Sequence, residues 1–221
     1  MNKRRTIKKG LAILLVVAML FSIMPVSAFA ENTDSTEPGG QTLMNMQSET
    51  TTPAAYVTIG DGEPEEFETL AAAIEEVKNC TAGDNAVVTL AKDITLDARQ
   101  EIASGDFIID LNENNLSSMS AHDAVLYITG GTVKIQNGSI SITNGSAAVW
   151  LRDGSPTVKI IDCVINSNYY GVAVSSGNVT ITGGSITGDI ADLWKQSQGL
   201  KITLEEEVKF PEGIKVLGNS E

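Results

Sequence analysis

The chain has 221 residues, 28 of them acidic and 15 basic, for a net charge of −13. That is room for one domain with a tail, and a surface that repels nucleic acid and anionic membranes. Two cysteines and one histidine exclude a disulfide framework and a zinc site built from Cys and His alone.

The charge is unevenly laid out. Lys3, Arg4, Arg5, Lys8 and Lys9 fall in the first thirty residues, which hold no acid, so the rest of the chain sets 10 basic residues against all 28 acids. After this cationic opening comes an apolar stretch from Leu11 to Pro25, then Ala28-Phe29-Ala30. The order is that of a secretory signal peptide over residues 1–30, cleaved after Ala30. The continuous apolar run, Leu11 to Phe21, is eleven residues long, well short of the roughly 20 a membrane span needs. No later stretch is as apolar, so no transmembrane segment is expected after cleavage. The expected location is secreted or extracellular, with attachment to the cell surface as a variant. Residues 31–54 are Glu, Asn, Thr, Ser, Gly and Gln with few branched apolar side chains. Burial there cannot offset the entropy of ordering, and a disordered spacer is expected.

Tyr56-Val-Thr-Ile59 alternates as a short strand, and Asp61-Gly62 turns the chain. Phe67, Leu70, Ile74 and Val77 recur at helical spacing behind Glu65, Glu66 and Glu68, predicting an amphipathic helix over 67–79 with acids at its positive end. An oxidising exterior permits a Cys80–Cys163 disulfide. One cysteine closes the predicted helix and the other sits inside a strand repeat, so two unpaired, small buried thiols are expected.

From Ala86 the chain repeats. Four segments align without internal gaps: Ile109-Asp-Leu-Asn-Glu-Asn-Asn-Leu116, Val133-Lys-Ile-Gln-Asn-Gly-Ser-Ile140, Val158-Lys-Ile-Ile-Asp-Cys-Val-Ile165 and Val179-Thr-Ile-Thr-Gly-Gly-Ser-Ile186. Their starts are spaced by 24, 25 and 21 residues. Val88-Thr-Leu90 precedes them and Leu200-Lys-Ile202 follows, each at 21. A second series, Ala124 to Ile128, Ala148 to Leu151, Gly171 to Val174 and Ala191 to Trp194, runs offset from the first. A period in the low twenties means a solenoid, because one repeat cannot bury its own apolar side and stacked repeats can. Two strand-like stretches per repeat, divided by Gly, Asn, Ser and Asp, predict a β-solenoid of about six coils over 55–217, with a short tail at 218–221. The structural rival is a leucine-rich repeat, since Ile109-x-Leu111-x-x-Asn114-x-Leu116 fits L-x-L-x-x-N-x-L. Against it, the second series reads as strand where that fold carries a helix.

The helix at Phe67 to Ile74, the strand Ala86 to Thr95 and the Val-x-Ile-x-x-Gly-x-Ile coils resemble the start of a right-handed parallel β-helix. The group resembled is the pectin-lyase-like superfamily, in the non-catalytic secreted form found in gut Gram-positive bacteria. The resemblance spans about residues 56–217. It implies an all-β fold with the first helix capping one end of the solenoid, and it is poor in activity, since fold does not fix function. At the other end, Glu205 to Glu207 and Pro211 are expected to interrupt further pairing and keep the chain monomeric.

No catalytic set is visible. Members with activity cleave acidic polysaccharides with calcium-binding acids and an arginine base, or with clustered aspartates. Here Asp93, Asp110, Asp162 and Asp189 form no matched pair on adjacent coils, and Arg152-Asp153-Gly154 reads as a solvated turn. His122 beside Asp123 has no nucleophile to serve. No metal site and no cofactor are expected; calcium is the one ion that the abundant oxygen donors would suit. N-x-S/T triplets at Asn115, Asn137, Asn144 and Asn178 read as turn and stacking residues. Tyr169 and Tyr170 are further aromatic candidates for stacking on sugar, while Trp150 and Trp194 hold neighbouring places in the second series, two coils apart, and Tyr127 precedes them by one coil. Turned outward, they would grip a glycan, with Arg152 and Asp153 beside them; turned inward, they would be core. The expectation is a non-enzymatic extracellular module that binds a polysaccharide, a cell-surface glycan or another extracellular partner. A small polysaccharide lyase or hydrolase and a structural spacer are the alternatives.

Overall fold

A computed structural model describes residues 52–119, 121, 124–197 and 199–218. The signal-peptide reading, most of the spacer, His122, Asp123 and residues 219–221 lie outside the described residues.

The chain winds into a parallel β-solenoid of about six turns. The decisive register is that of the first repeat series. Val133 pairs with Val158 and Val158 with Val179; Ile135, Ile160 and Ile181 stack beside them. Every one of these side chains is buried. Alternation puts them inside the tube, while Lys134, Lys159 and Thr180 pair along the outside. Six coils at the strand spacing of about 4.8 Å give a rod of roughly 30 Å.

Each coil carries three strand faces where the repeat pattern suggested two. One six-stranded sheet runs through Gln100–Ile102, Ala124–Ile128, Ala147–Leu151, Tyr170–Val174, Ala191–Lys195 and Val216–Gly218. The eleven-stranded sheet supplies the other two faces, because Thr132–Ile142 and Thr157–Ser167 are single long strands. They bend at Asn137 (φ 58°) and Asp162 (φ 50°), both left-handed. Asn and Asp tolerate that conformation better than other side chains, and this places polar residues at a corner the periodicity alone leaves invisible. Strands throughout both halves of the coil overturn the leucine-rich-repeat rival.

Two repeat assignments shift. The gap-free alignment put Ile109 opposite Val133, but Phe107 pairs with Val133 and Ile109 with Ile135. Leu116 still pairs with Ile140, so two extra residues are accommodated at Asn112 (φ 50°) and Glu113 (φ 65°). At the far end Ile202, not Leu200, continues the Val179 column.

The helix is shorter than 67–79. It runs Leu70–Val77, and Thr69 caps it by accepting the Ala72 N–H at 3.2 Å. An oxygen in that place satisfies a donor left free by the first turn and fixes the start. Phe67 therefore belongs to the strand Glu65–Phe67, paired antiparallel with Ala55–Ile59, which pairs antiparallel with Ala86–Leu90. Glu65 and Glu66 sit on this hairpin, away from the helix dipole. Ala54 is already part of the fold: it is buried and donates its N–H to Phe67 O at 2.8 Å. The helix buries Leu70, Ala73, Ile74 and Val77 in the same core as Ile102 and Phe107. Helix and hairpin together cap this end of the tube.

Cys80 and Cys163 are free thiols, the first half-buried and the second buried. Cys163 stacks on Gly138 and donates to Ile161 O at 3.3 Å. Burial pushes its thiol up to about 12, because desolvation penalises the thiolate. The folded protein holds this proton more tightly than the unfolded chain. Its contribution to stability is therefore intact below pH about 8.5, the free-thiol value, and is lost as pH rises toward 12. Urea midpoints should fall between pH 8.5 and 10.5, and Cys163→Ala should flatten that fall. At pH 8, iodoacetamide should label Cys80 and leave Cys163 untouched unless urea is present. Rapid labelling of native Cys163 would contradict its placement in the core.

Candidate functional site

The second repeat series forms the six-stranded sheet, and its outer face gathers the aromatic residues. Trp150 pairs with Tyr127 on one side and Ala173 on the other, and Ala173 pairs with Trp194. Tyr127, Trp150 and Trp194 are thus one column, with the two tryptophans two coils apart. Glu101 precedes Tyr127 in the same column and Leu217 follows Trp194.

None of these rings belongs to the core cluster that fills the tube. They point outward and cover one another. Tyr127 and Trp150 meet edge-on at 6.3 Å between centroids, and Trp150 and Trp194 at 6.5 Å. The small Ala173 between them leaves that space open. Tyr170, which follows the turn before its strand, stacks flat on Trp194 at 5.4 Å and 11° and touches Tyr169 at 4.3 Å. Edge-on and offset geometries of this kind are the favoured ones for aromatic pairs. Tyr127 is 8% exposed, both tryptophans are half-buried, and Tyr169 is exposed at 41%. The outward-or-core choice posed by the sequence therefore resolves into a third state: outward, yet partly sealed by neighbouring rings.

Both arginines of the described chain sit on this ladder. The Arg99 guanidinium lies 3.9 Å from the centroid of Tyr127, and that of Arg152 lies 5.0 Å from that of Trp150. Guanidinium over a ring face is an attractive electrostatic contact. Arg99 also pairs with Glu101 at 2.7 Å. Trp150 Nε1 donates to Ser175 Oγ at 2.9 Å, and the Tyr127 hydroxyl donates to Asp153 Oδ2 at 3.4 Å. Asp153 (φ 57°) and Gly154 (φ 47°) turn the chain back so that its carboxylate reaches that hydroxyl. Burial pushes the Tyr127 and Tyr170 phenols up, so both remain neutral hydroxyl groups near neutral pH.

All five residues singled out by sequence, Tyr127, Trp150, Arg152, Asp153 and Trp194, are brought together on this face. Tyr170, a further candidate ring in the sequence, joins them by stacking on Trp194, and so do Arg99 and Ser175, which the sequence reading does not single out. The signal for Arg99 was present: Ile102 pairs with Ile128, so the second series extends one coil further back and carries Arg99 beside Tyr127.

A second concave region lies at the corner between the other two faces. It is an open groove of about 600 Å³ lined by Asp110, Asn112, Glu113, Asn137 and Asp162, among others. Asp110 accepts from Gln136 Nε2 at 2.8 Å and from Asn137 Nδ2 at 3.3 Å. Asp110 and Asp162 are two coils apart with Asn137 between them, so no carboxylates are matched on adjacent coils here. Among the described residues no group of three or more His, Cys, Asp or Glu is arranged to hold a metal ion, and no helix is long and apolar enough to cross a membrane.

Comparison with protein-family models, with curated proteins and with solved structures yields no match.

Proposed function

We propose that this chain is an exported, non-enzymatic β-solenoid module that binds an extended glycan along its aromatic face, in the extracellular space or at the cell surface. The observation that supports it is the single outward column of Tyr127, Trp150 and Trp194, extended by Tyr170 and bordered by hydrogen-bonding groups. Sugar rings present apolar C–H faces that pack on aromatic faces and hydroxyls that need polar partners. The column offers the first, and Ser175, Asp153, Arg99 and Arg152 offer the second. Its rungs follow the strand spacing of about 4.8 Å, so a linear polymer could repeat its contacts along it. Each arginine has an acid beside it, Glu101 or Asp153, so the face favours neutral or weakly charged saccharides over strongly anionic ones. The signal-like first thirty residues support export. The kinship to pectin-lyase-like proteins belongs to the same proposal.

A glycan array probed with the purified chain tests the reading. Binding to a defined set of saccharides is expected. Trp194→Ala and Trp150→Ala should each weaken that binding roughly tenfold or more, as loss of a central aromatic anchor does. Val164→Ala, on another face, should leave it unchanged. An array with no hits, or ring variants that bind like the parent, would remove glycan from the proposal. New unsaturated ends from a uronate polymer incubated with calcium would overturn its non-enzymatic part.

A further inference from the structure

We propose that two copies of this chain join tail to tail, the strand Lys201–Glu205 of one pairing antiparallel with the same strand of the other about Thr203. The two ends of the solenoid differ. The helix and the antiparallel hairpin cap the first. At the other end, Lys201–Glu205 and Val216–Gly218 are the edge strands of the two sheets. Between them the mouth of the tube is a groove of about 280 Å³, lined by Leu193, Leu200, Ile202, Leu204, Ile214 and Val216. Leu204 is 40% exposed, Ile214 53% and Val216 52%, although Leu204 and Val216 continue columns buried in every coil before them. An edge of this kind pairs with another strand unless something blocks it.

What selects a second copy as that strand is the order Lys201-Ile-Thr-Leu-Glu205. Ile202 and Leu204 continue the inner columns, so Lys201, Thr203 and Glu205 lie on the outer side. Antiparallel pairing centred on Thr203 sets Lys201 against Glu205 of the second copy, twice. It sets Ile202 against Leu204 twice, over the apolar mouth. Opposite charges directly across an antiparallel pair stabilise it and like charges oppose it. Glu206 has φ 54° and leaves the strand, so the acids that were expected to forbid pairing do not face each other. Glu205 keeps a side contact with Lys159 at 3.5 Å, both half-exposed, and this steadies its carboxylate on the outer side. The cap at the other end favours a closed pair over an open filament, because a two-fold interface uses the same surface from both copies.

Sedimentation equilibrium of the purified chain is expected to give twice the mass of one copy at tens of micromolar. Lys201→Glu and Glu205→Lys should each weaken self-association by at least about tenfold. Mixed one to one, these two variants should recover the dimer, since the introduced carboxylate then faces the introduced ammonium and native Glu205 faces native Lys201. Unchanged circular dichroism, and thermal midpoints equal to the parent's at concentrations where the parent is dissociated, show that each variant is folded. A parent that stays monomeric at every concentration, as it would if other residues of the same chain cover the edge, overturns the proposal. So does a dimer indifferent to both substitutions, or a mixture that stays monomeric.

Discussion

Ile160→Ala should cost the protein about 3 kcal/mol of unfolding free energy, within the range of roughly 2–5 for deleting a buried isoleucine to alanine. Ile160 is 1% exposed and stands between Ile135 and Ile181 in the inner column. Three methyl or methylene groups leave, and the flanking coils cannot close the gap, because their separation is fixed by hydrogen bonds along the strands rather than by the side chain. A solenoid repeat contacts its neighbours alone, so a weakened rung loosens two interfaces at once. Ile161 is the control. It is one residue away, half-buried and on the outer side, and Ile161→Ala should cost less than about 1 kcal/mol. Urea unfolding monitored by circular dichroism gives both values. If the two substitutions were equally costly, or Ile160→Ala were neutral, the inward column would be misassigned by one residue, which in a strand exchanges the two faces.

The sequence carried most of this arrangement because its repeats are regular where the coils are regular. Val133, Val158 and Val179 occupy equivalent positions whether they are aligned as letters or as strands. Legibility fails where two registers bury apolar residues equally well. Ile109 and Leu111 are both fully buried, so an alignment that lets either follow Phe107's column scores the same. The two-residue accommodation at Asn112 and Glu113 shows in the strand register and the backbone dihedrals, not in the order of letters. At the helix, Phe67 has the right spacing to Leu70 and Ile74, and spacing says nothing of Thr69, whose side chain caps a helix that starts three residues after Phe67, at Leu70. The third strand face was hidden for a similar reason: Asn137 and Asp162 look like the end of a strand and are corners within one.

For the candidate site, the shared column of Tyr127, Trp150 and Trp194 followed from the period. Their exposure did not, since it depends on ring meeting ring across Ala173. Arg99 is not legible because the strand it precedes, Gln100–Ile102, is three residues long and shows too little alternation to be counted as a repeat.

Gly184→Ala should be among the most damaging single substitutions outside the core. Gly184 has φ +70°, and a Cβ built there lies 2.2 Å from Cys163 O and 2.7 Å from Cys163 N. Two costs combine. A left-handed non-glycine residue is strained by about 1–3 kcal/mol, and the close atoms are backbone of the preceding coil, which cannot rotate aside as a side chain would. Relief requires the strand Ser185–Gly188 to lift from Thr157–Ser167, with which it pairs through Val164 to Ser167. A loss of more than about 2 kcal/mol is therefore expected. It should appear as an earlier urea midpoint and as faster labelling of Cys163, the residue directly beneath. Gly83→Ala supplies the opposite case: nothing lies within 4 Å of its added Cβ and its φ is not positive. Replacing glycine there restricts the unfolded chain and should be neutral or stabilise by up to about 1 kcal/mol. Equal effects at the two glycines would mean that adjacent coils do not approach at Gly184 as closely as this register requires. The packing of Cys163 between two glycines, and its buried thiol with it, would then need a different explanation.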